Sequence, residues 1–172
     1  MATINEASDA EIRPVTPGDI SSIAALHARI FGPGRFTRTA YRVREGAPKI
    51  STFCRQALKA GDLLAAVSFT RITIGETPNA LLLGPLAVAP EVANKGLGRR
   101  LIAESLEEAK RQGIEVVILV GDKPYYERFG FDRVEAGRIQ LPGPVAPDRI
   151  LAWQSEPDAI TRFSGLVTAD TA

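Results

Sequence analysis

Residues 81–113, LLLGPLAVAPEVANKGLGRRLIAESLEEAKRQG, carry the pattern best suited to chemistry. Lys95, Arg99 and Arg100 crowd the start of a helix-forming run, beside Gly96 and Gly98. Cations there oppose the helix dipole, at about 0.3–1 kcal/mol per exposed charge. An anion docked at the helix start would offset that cost, and the glycines let backbone amides approach it without a Cβ in the way. A diphosphate fits this arrangement; solubilising charge, with glycines kept for close packing, is the alternative. The P-loop pattern Gly-x-x-x-x-Gly-Lys-Ser/Thr is absent. A Rossmann fingerprint fits poorly, because Leu101 stands where a third glycine belongs and seven residues separate Val88 from Gly96. Asp122, after the next strand, is the one feature that keeps a nicotinamide-dinucleotide reading in view.

Pro85 is the second chemical clue. A proline inside a strand has no N–H for the ladder, so Gly84-Pro85 predicts a distortion. A bulge there pushes this strand away from the next one, residues 116–121. The gap then offers main-chain donors and acceptors to a linear, amide-bearing ligand. The third clue is aromatic. Tyr125, Phe129 and Phe131 read as a plug over the sheet, whereas Tyr126 reads either as part of that plug or as a proton donor. His27 falls on the apolar face of a helix and reads as a packing histidine. Cys54 alternates with apolar residues and reads as a small core residue.

The elements that must position these residues follow from periodicity. A short extended segment at 11–15 precedes Thr16-Pro17-Gly18-Asp19, a capping box with proline at the first helical position. Ile20, Ile23, Ala24, His27, Ile30 and Phe31 share one face of the helix that follows, and Gly32-Pro33-Gly34 ends it. A short helix is expected near 39–45. Residues 51–58 and 62–74 read as a hairpin closed by Lys59-Ala60-Gly61. A further turn at 76–79 leads to a strand over 81–88. The helix over 96–112 has Leu97, Gly98, Leu101, Ile102, Ser105, Leu106 and Ala109 in one arc of roughly 180°, and Gly113 stops it. The β-branched run 116–121 suits a strand buried on both faces through a parallel crossover. A short helix at 124–129, brief strands near 131–134, 138–141 and 150–153, and a helical turn after Asp158 complete the chain. Residues 1–10 are expected as a flexible tail and 11–172 as a single domain. The fold class is α/β: a mixed, mostly antiparallel sheet, its bulged strand splayed from a parallel neighbour, with helices on both faces.

Composition excludes several classes. With 172 residues, 45% hydrophobic and 24% charged, the chain has the make-up of a soluble globular protein. A formal net charge of +1 argues against nucleic acid as partner. One cysteine and one histidine exclude a disulfide framework and a multi-cysteine or histidine-rich metal site, so no metal is expected. The apolar stretches are about half a bilayer span, so no membrane association is expected. The polar N-terminus carries no signal-peptide pattern, which makes a cytoplasmic location the expectation.

Taken together, the strand LGPLAVAP, the loop EVANKGLG, the helix RRLIAESLEEA and the later PYYERFGF resemble the GNAT N-acetyltransferase superfamily, in particular its YhbS-like branch. The resemblance spans about residues 11–155 and is strongest over 81–131. It implies acetyl-CoA or coenzyme A as cosubstrate. The family's diphosphate loop, Gln/Arg-x-x-Gly-x-Gly/Ala, falls on residues 93–98, with Ala93 in place of the usual long polar side chain. The amides of Asn94, Lys95, Gly96, Leu97, Gly98 and Arg99 remain to hold phosphate. The pantetheine arm is implied to pair with the main chain of Leu86, Ala87 and Val88. The family's tyrosine acid, four residues before the glycine of the Gly-Phe pair, falls on Tyr126.

Acetyl transfer to an amine requires deprotonation of a group with an ordinary pKa of about 10.4, a donor for the oxyanion, and a proton or hydrogen bond for the departing thiolate. A backbone amide of the bulged strand and Tyr126 suit the last two roles, and no covalent enzyme intermediate is needed. For the base, His27, Glu45 and a relayed water stay open. Arg35, Arg38, Arg42, Arg44 and Lys49 against Glu45 give residues 35–49 a local excess of four positive charges. With Phe36 and Tyr41 interleaved, the segment reads either as a solvated helix face or as a pocket for an anionic acceptor; Arg35, Phe36, Arg38 and Tyr41 are its candidate contacts. The expected activity is acetyl transfer to a primary amine of a small molecule or peptide, with a homodimer as the candidate assembly. The alternative is a non-catalytic coenzyme A-binding sensor.

Overall fold

The computed structural model describes residues 9–34 and 38–171. Its spine is a sheet in the order β1-β2-β3-β4-β5-β8-β6, built from β1 (Glu11–Pro14), β2 (Arg55–Lys59), β3 (Asp62–Ile74), β4 (Thr77–Val88), β5 (Val116–Val120), β6 (Asp132–Arg133) and β8 (Ile150–Gln154). β7 (Ile139–Gln140) pairs with β9 (Gly165–Ala169), which in turn pairs with β3. Every pairing on the spine is antiparallel except β4 with β5. The helices are α1 (Ile20–Phe31), α2 (Thr39–Arg44), α3 (Leu97–Arg111) and α4 (Lys123–Tyr126). This is the mixed sheet that the sequence implied. No helix among the described residues is long and apolar enough to cross a membrane.

Strand alternation sends successive side chains to opposite faces. On one face Val67, Phe69, Leu81, Leu83, Val117 and Leu119 pack with Leu97, Leu101 and Ile102 of α3. On the other, Ile72, Ile74, Leu82, Val116 and Ile118 pack with Val43 of α2 and with Phe163. β5 is therefore buried on both sides, as its β-branched run requires. The buried residues of α3 are Leu97, Gly98, Leu101, Ile102, Ser105, Leu106 and Ala109, the arc read from the sequence. Gly113 at φ +82° ends that helix. Ala60 and Gly61, both at positive φ, close the β2–β3 hairpin.

Several boundaries differ. β2 begins at Arg55 rather than residue 51, because residues 51–54 form a turn: Cys54 N–H donates to the Ser51 carbonyl at 3.2 Å. Cys54 is buried in that turn, and the Phe69 amide donates to its sulfur at 3.4 Å. β4 starts at Thr77, since a tighter turn closes it on β3 with Ile74 opposite Thr77. A short 3-10 turn precedes α1, and the Thr16 amide donates to Asp19 Oδ2 at 2.9 Å. On α1 the expected face is only partly core. Ile23 is buried, but so is Leu26, which lies off the arc, while Ile20, Ala24, His27 and Phe31 line a cleft. β9 had no expectation. It takes over the edge of β3 beyond β2, with Ile72, Thr73 and Ile74 opposite Ala169, Thr168 and Val167.

Candidate active site

The site grows from the distortion at Gly84-Pro85. Along β3, Val67 faces Leu86 and Phe69 faces Leu83, so Ser68 alone opposes both Gly84 and Pro85. That two-against-one count is a β-bulge, and a bulge bends its strand. On the other edge of β4 the consequence is direct. Pairing with β5 runs through Ala80↔Val116, Leu81↔Val117 and Leu82↔Ile118, and goes no further. Leu119 and Val120 continue paired to β8 alone, opposite Leu151 and Ile150. The two parallel strands therefore part beyond Leu82 and leave a wedge. Leu86, Ala87 and Val88 hold β4 to β3 on one side, and the alternate main-chain groups of this stretch face the wedge.

The start of α3 stands beside the outer end of that strand. A Cβ on Gly98 would lie 3.4 Å from Leu86 Cδ2, 3.8 Å from Val88 Cγ2 and 2.8 Å from the Tyr125 hydroxyl. Only glycine fits this three-way contact without displacement. The helix's first intrahelical bond runs from Arg100 N–H to the Gly96 carbonyl at 3.1 Å, so the amides of Leu97, Gly98 and Arg99 precede the ladder. Asn94 and Gly96 adopt positive φ, +62° and +88°, which turns the loop into the helix. A Cβ on Gly96 would meet nothing within 4 Å. That open space is what a phosphate needs to approach the amides. Lys95, Arg99 and Arg100 are exposed around it, and Arg100 also donates to the Ala10 carbonyl at 3.3 Å. A diphosphate-bearing carrier with an amide-rich arm fits these residues: phosphates at the helix start, arm along the wedge.

Tyr126 stands over the end of β5 and lines the adjoining cleft. Asp122 accepts from the Tyr125 and Tyr126 amides at 3.1 and 3.3 Å, and Pro124 sets the first turn of α4. The Tyr126 ring packs over Gly121, at the end of β5, where a Cβ would lie 2.7 Å from Cε2. It meets Tyr125 edge-on at 4.8 Å and Phe131 at 5.9 Å between ring centroids. Burial, reinforced by Tyr125 and Asp122, pushes the phenol up to about 12. Tyr126 thus keeps its proton throughout the neutral range.

On the other side of the bulge lies a cleft of about 1450 Å³. Its walls are the α1 face, α2, the bulge at Leu83, Gly84, Pro85 and Leu86, and the loop carrying Pro144, Val145 and Arg149. Tyr126, Leu119 and Val120 reach it from β5 and α4, so wedge and cleft communicate. The loop is tied to α2: Thr39 Oγ1 donates to the Pro144 carbonyl at 2.7 Å and Arg42 Nη1 to the Pro142 carbonyl at 3.4 Å. Among the candidate acceptor contacts, Arg38 and Tyr41 line the cleft, and the Arg38 guanidinium lies 5.2 Å from the Phe31 ring centre. Arg35 and Phe36 lie outside the described residues. His27 and Glu45 line the same cleft.

Sequence reasoning missed three parts of this site. Gly121 seats Tyr126, the Tyr125 hydroxyl covers Gly98 at the phosphate loop, and Arg149 with its loop forms a cleft wall. Gly121 had a signal, as a glycine closing a β-branched strand before the tyrosine pair. The loop had none, because its place over α2 depends on contacts about a hundred residues apart.

A family model for the acetyltransferase (GNAT) family matches residues 20–131. The chain is 30% identical over 148 residues to the uncharacterized N-acetyltransferase YjhQ of Escherichia coli strain K12, covering 80% of this chain and 78% of that protein. It is 27% identical over 161 residues to the uncharacterized N-acetyltransferase YhbS of the same strain, covering 91% and 93%. The crystal structure of YhbS from Escherichia coli in complex with CoA superposes with a TM-score of 0.78 at 26% identity, over 94% of this chain and 89% of that one. A GNAT family acetyltransferase from Brucella melitensis in complex with acetyl-CoA gives 0.62 at 25% identity, over 84% and 96%. The chain belongs to the acetyltransferase (GNAT) family and is by class an acetyl-CoA-dependent N-acetyltransferase.

Proposed function

We propose that residues 11–172 act as one domain that transfers an acetyl group from acetyl-CoA directly to a primary amine. The observation that carries this reading is the parting of β4 and β5 beyond the Leu82↔Ile118 pair, with the start of α3 alongside. Leu86, Ala87 and Val88 offer main-chain partners to the pantetheine amides. The amides of Asn94, Lys95, Gly96, Leu97, Gly98 and Arg99 take the diphosphate, with Lys95 and Arg99 adding charge. Ala93 brings no side chain to this contact. The thioester, when bound, supplies an activated acyl carbon and a thiolate leaving group.

The acceptor enters from the cleft, where Arg38 and Tyr41 stand on the α2 side. A main-chain amide at the bulge donates to the carbonyl oxygen as negative charge builds there. The amine forms a C–N bond as the C–S bond breaks. One proton leaves the nitrogen for solvent or a relayed water, and the sulfur ends protonated. Tyr126 is the donor to the departing sulfur. With its pKa raised to about 12, it is fully protonated at neutral pH and stabilises the thiolate by a hydrogen bond before the proton settles. No side chain is acylated.

The test is thiol release from acetyl-CoA with a panel of primary amines, read against calorimetric binding of coenzyme A. Amine-dependent thiol release, with acetyl found on the amine, supports the reading. Binding without transfer to any amine would leave a coenzyme A sensor instead.

A further inference from the structure

Among the described residues, two arginines carry side-chain nitrogen out of reach of water, and they are built differently. Arg55 is only 7% exposed, and its Nη1 donates to the Thr52 and Cys54 carbonyls at 2.8 and 3.0 Å. Glu104 stands 3.8 Å from its Nε. Its Nε, like that of Arg44, has no hydrogen-bond partner, but the Glu104 carboxylate and the two carbonyls offset its charge. Arg44, at the end of α2, has no ion-pair partner among the described residues, and its Nε is buried without a hydrogen-bond partner. Burial, the largest cause, lowers its pKa to about 10, and Arg38 nearby acts in the same direction. A sequestered cation without a counter-charge is costly, so proteins pair such groups or use them.

Its place says for what. The Arg44 guanidinium reaches over the bulge, where a Cβ on Gly84 would lie 2.8 Å from Nη2. It lines the cleft, as do Arg38, Lys49 and Arg149, while among the described residues Glu45 is the one carboxylate on that lining. Arg149 is already partnered by Asp122 at 3.6 Å, and Arg38 lies over Phe31. One residue, Pro85, separates Gly84 from Leu86, where the reading above puts the start of the pantetheine contact.

Resting on that reading, we infer that Arg44 is the specificity residue of the acceptor cleft and binds an anionic group, carboxylate or phosphate, carried by the amine that is acetylated. The anion supplies the counter-charge that the fold omits. The short span between Arg44 and the bulge puts anion and amine on one small molecule. The guanidinium's fixed fork of donors suits either anion.

The full-length chain tests this with matched acceptors: amines bearing a carboxylate, amines bearing a phosphate, and the uncharged amide or alcohol of each. The wild type is expected to favour an anionic member over its neutral partner by roughly 10- to 100-fold in kcat/KM. In Arg44→Met that preference should fall to within about twofold, mostly through KM, with acetyl-CoA affinity unchanged; Arg44→Lys should recover part of it. Whichever anion shows the Arg44-dependent preference names the acceptor class. Equal use of charged and neutral partners by the wild type, or a preference that survives in Arg44→Met, overturns the inference and leaves acetyl transfer standing. Absence of acetyl-CoA binding in the wild type overturns both. Thermal melts of the variants accompany the kinetics. Arg44→Met should melt no lower than the wild type, because it removes a half-buried charge the fold does not pair; a large loss of stability would mark Arg44 as structural and overturn the inference.

Discussion

The two sides of the β4 bulge are made of different material. On the proposed reading the carrier side is backbone: the free edge of β4, the glycine turn and the first amides of α3, all within residues 82–100. The acceptor side is side chain: α1 and α2, neighbours in sequence, and the Pro144–Arg149 loop from about a hundred residues away. Backbone geometry is a poor place for variation, since the same amides must meet the same carrier. Side chains on separate elements can change without disturbing it.

The comparison breaks most completely at Gly98. Gly98→Glu places a side chain against the Tyr125 hydroxyl and sets a negative charge where the proposed reading seats phosphate. Calorimetry should show coenzyme A affinity reduced by about 100-fold or more, which corresponds to roughly 3 kcal/mol. Tyr126→Phe separates chemistry from binding. It should lower kcat by about 10²- to 10⁴-fold, with the coenzyme A Kd held within about twofold; an unchanged kcat would remove Tyr126 from the mechanism. Gly121→Ala is the smaller version of that test. Its Cβ meets the Tyr126 ring, so about 1–3 kcal/mol of overpacking is expected in a chemical melt. The accompanying fall in kcat should stay below that of Tyr126→Phe.

The smallest effects lie on the surface. Arg29 donates to Glu91 through both terminal nitrogens, at 3.1 and 2.7 Å, and ties α1 to the segment after β4. Arg29→Ala should change the melting temperature slightly at low salt and less at high salt, with turnover intact. The hydrogen bond from Arg29 holds the Glu91 carboxyl below its ordinary value, Thr16 does so for Asp19, and Lys123 for Asp132. Groups with depressed folded-state pKa values stabilise above their unfolded values and lose that contribution as pH falls through the folded ones. Melting temperature should therefore drop below about pH 4. Catalysis titrates elsewhere. With Tyr126 near 12, kcat/KM should rise with pH as the amine deprotonates, with no downturn from Tyr126 below about pH 10.

The same division decides what could be read in advance. α3 was legible to the residue, because a 3.6-residue period over four turns fixes which side is buried, and Gly113 fixes the stop. The wedge was legible because a proline in a β-run has few physical solutions. The α1 face was half right, since periodicity marks an apolar stripe without saying whether core or cleft lies opposite; Ile20, Ala24 and Phe31 face the cleft. β9 escaped because GLVTA is too short to carry a period and pairs with β3 from about ninety residues away. Arg44 stood in the sequence as one of several cations. Only the fold distinguishes it from Arg42, its exposed neighbour two residues earlier.

Hydrogen exchange of the full-length chain, with and without saturating acetyl-CoA, tests the wedge most directly. Slowed exchange concentrated at the amides of Gly84, Leu86, Ala87 and Val88 and of residues 94–99 is the expected result. Unchanged exchange in both stretches under saturating ligand, with protection placed elsewhere, would contradict it.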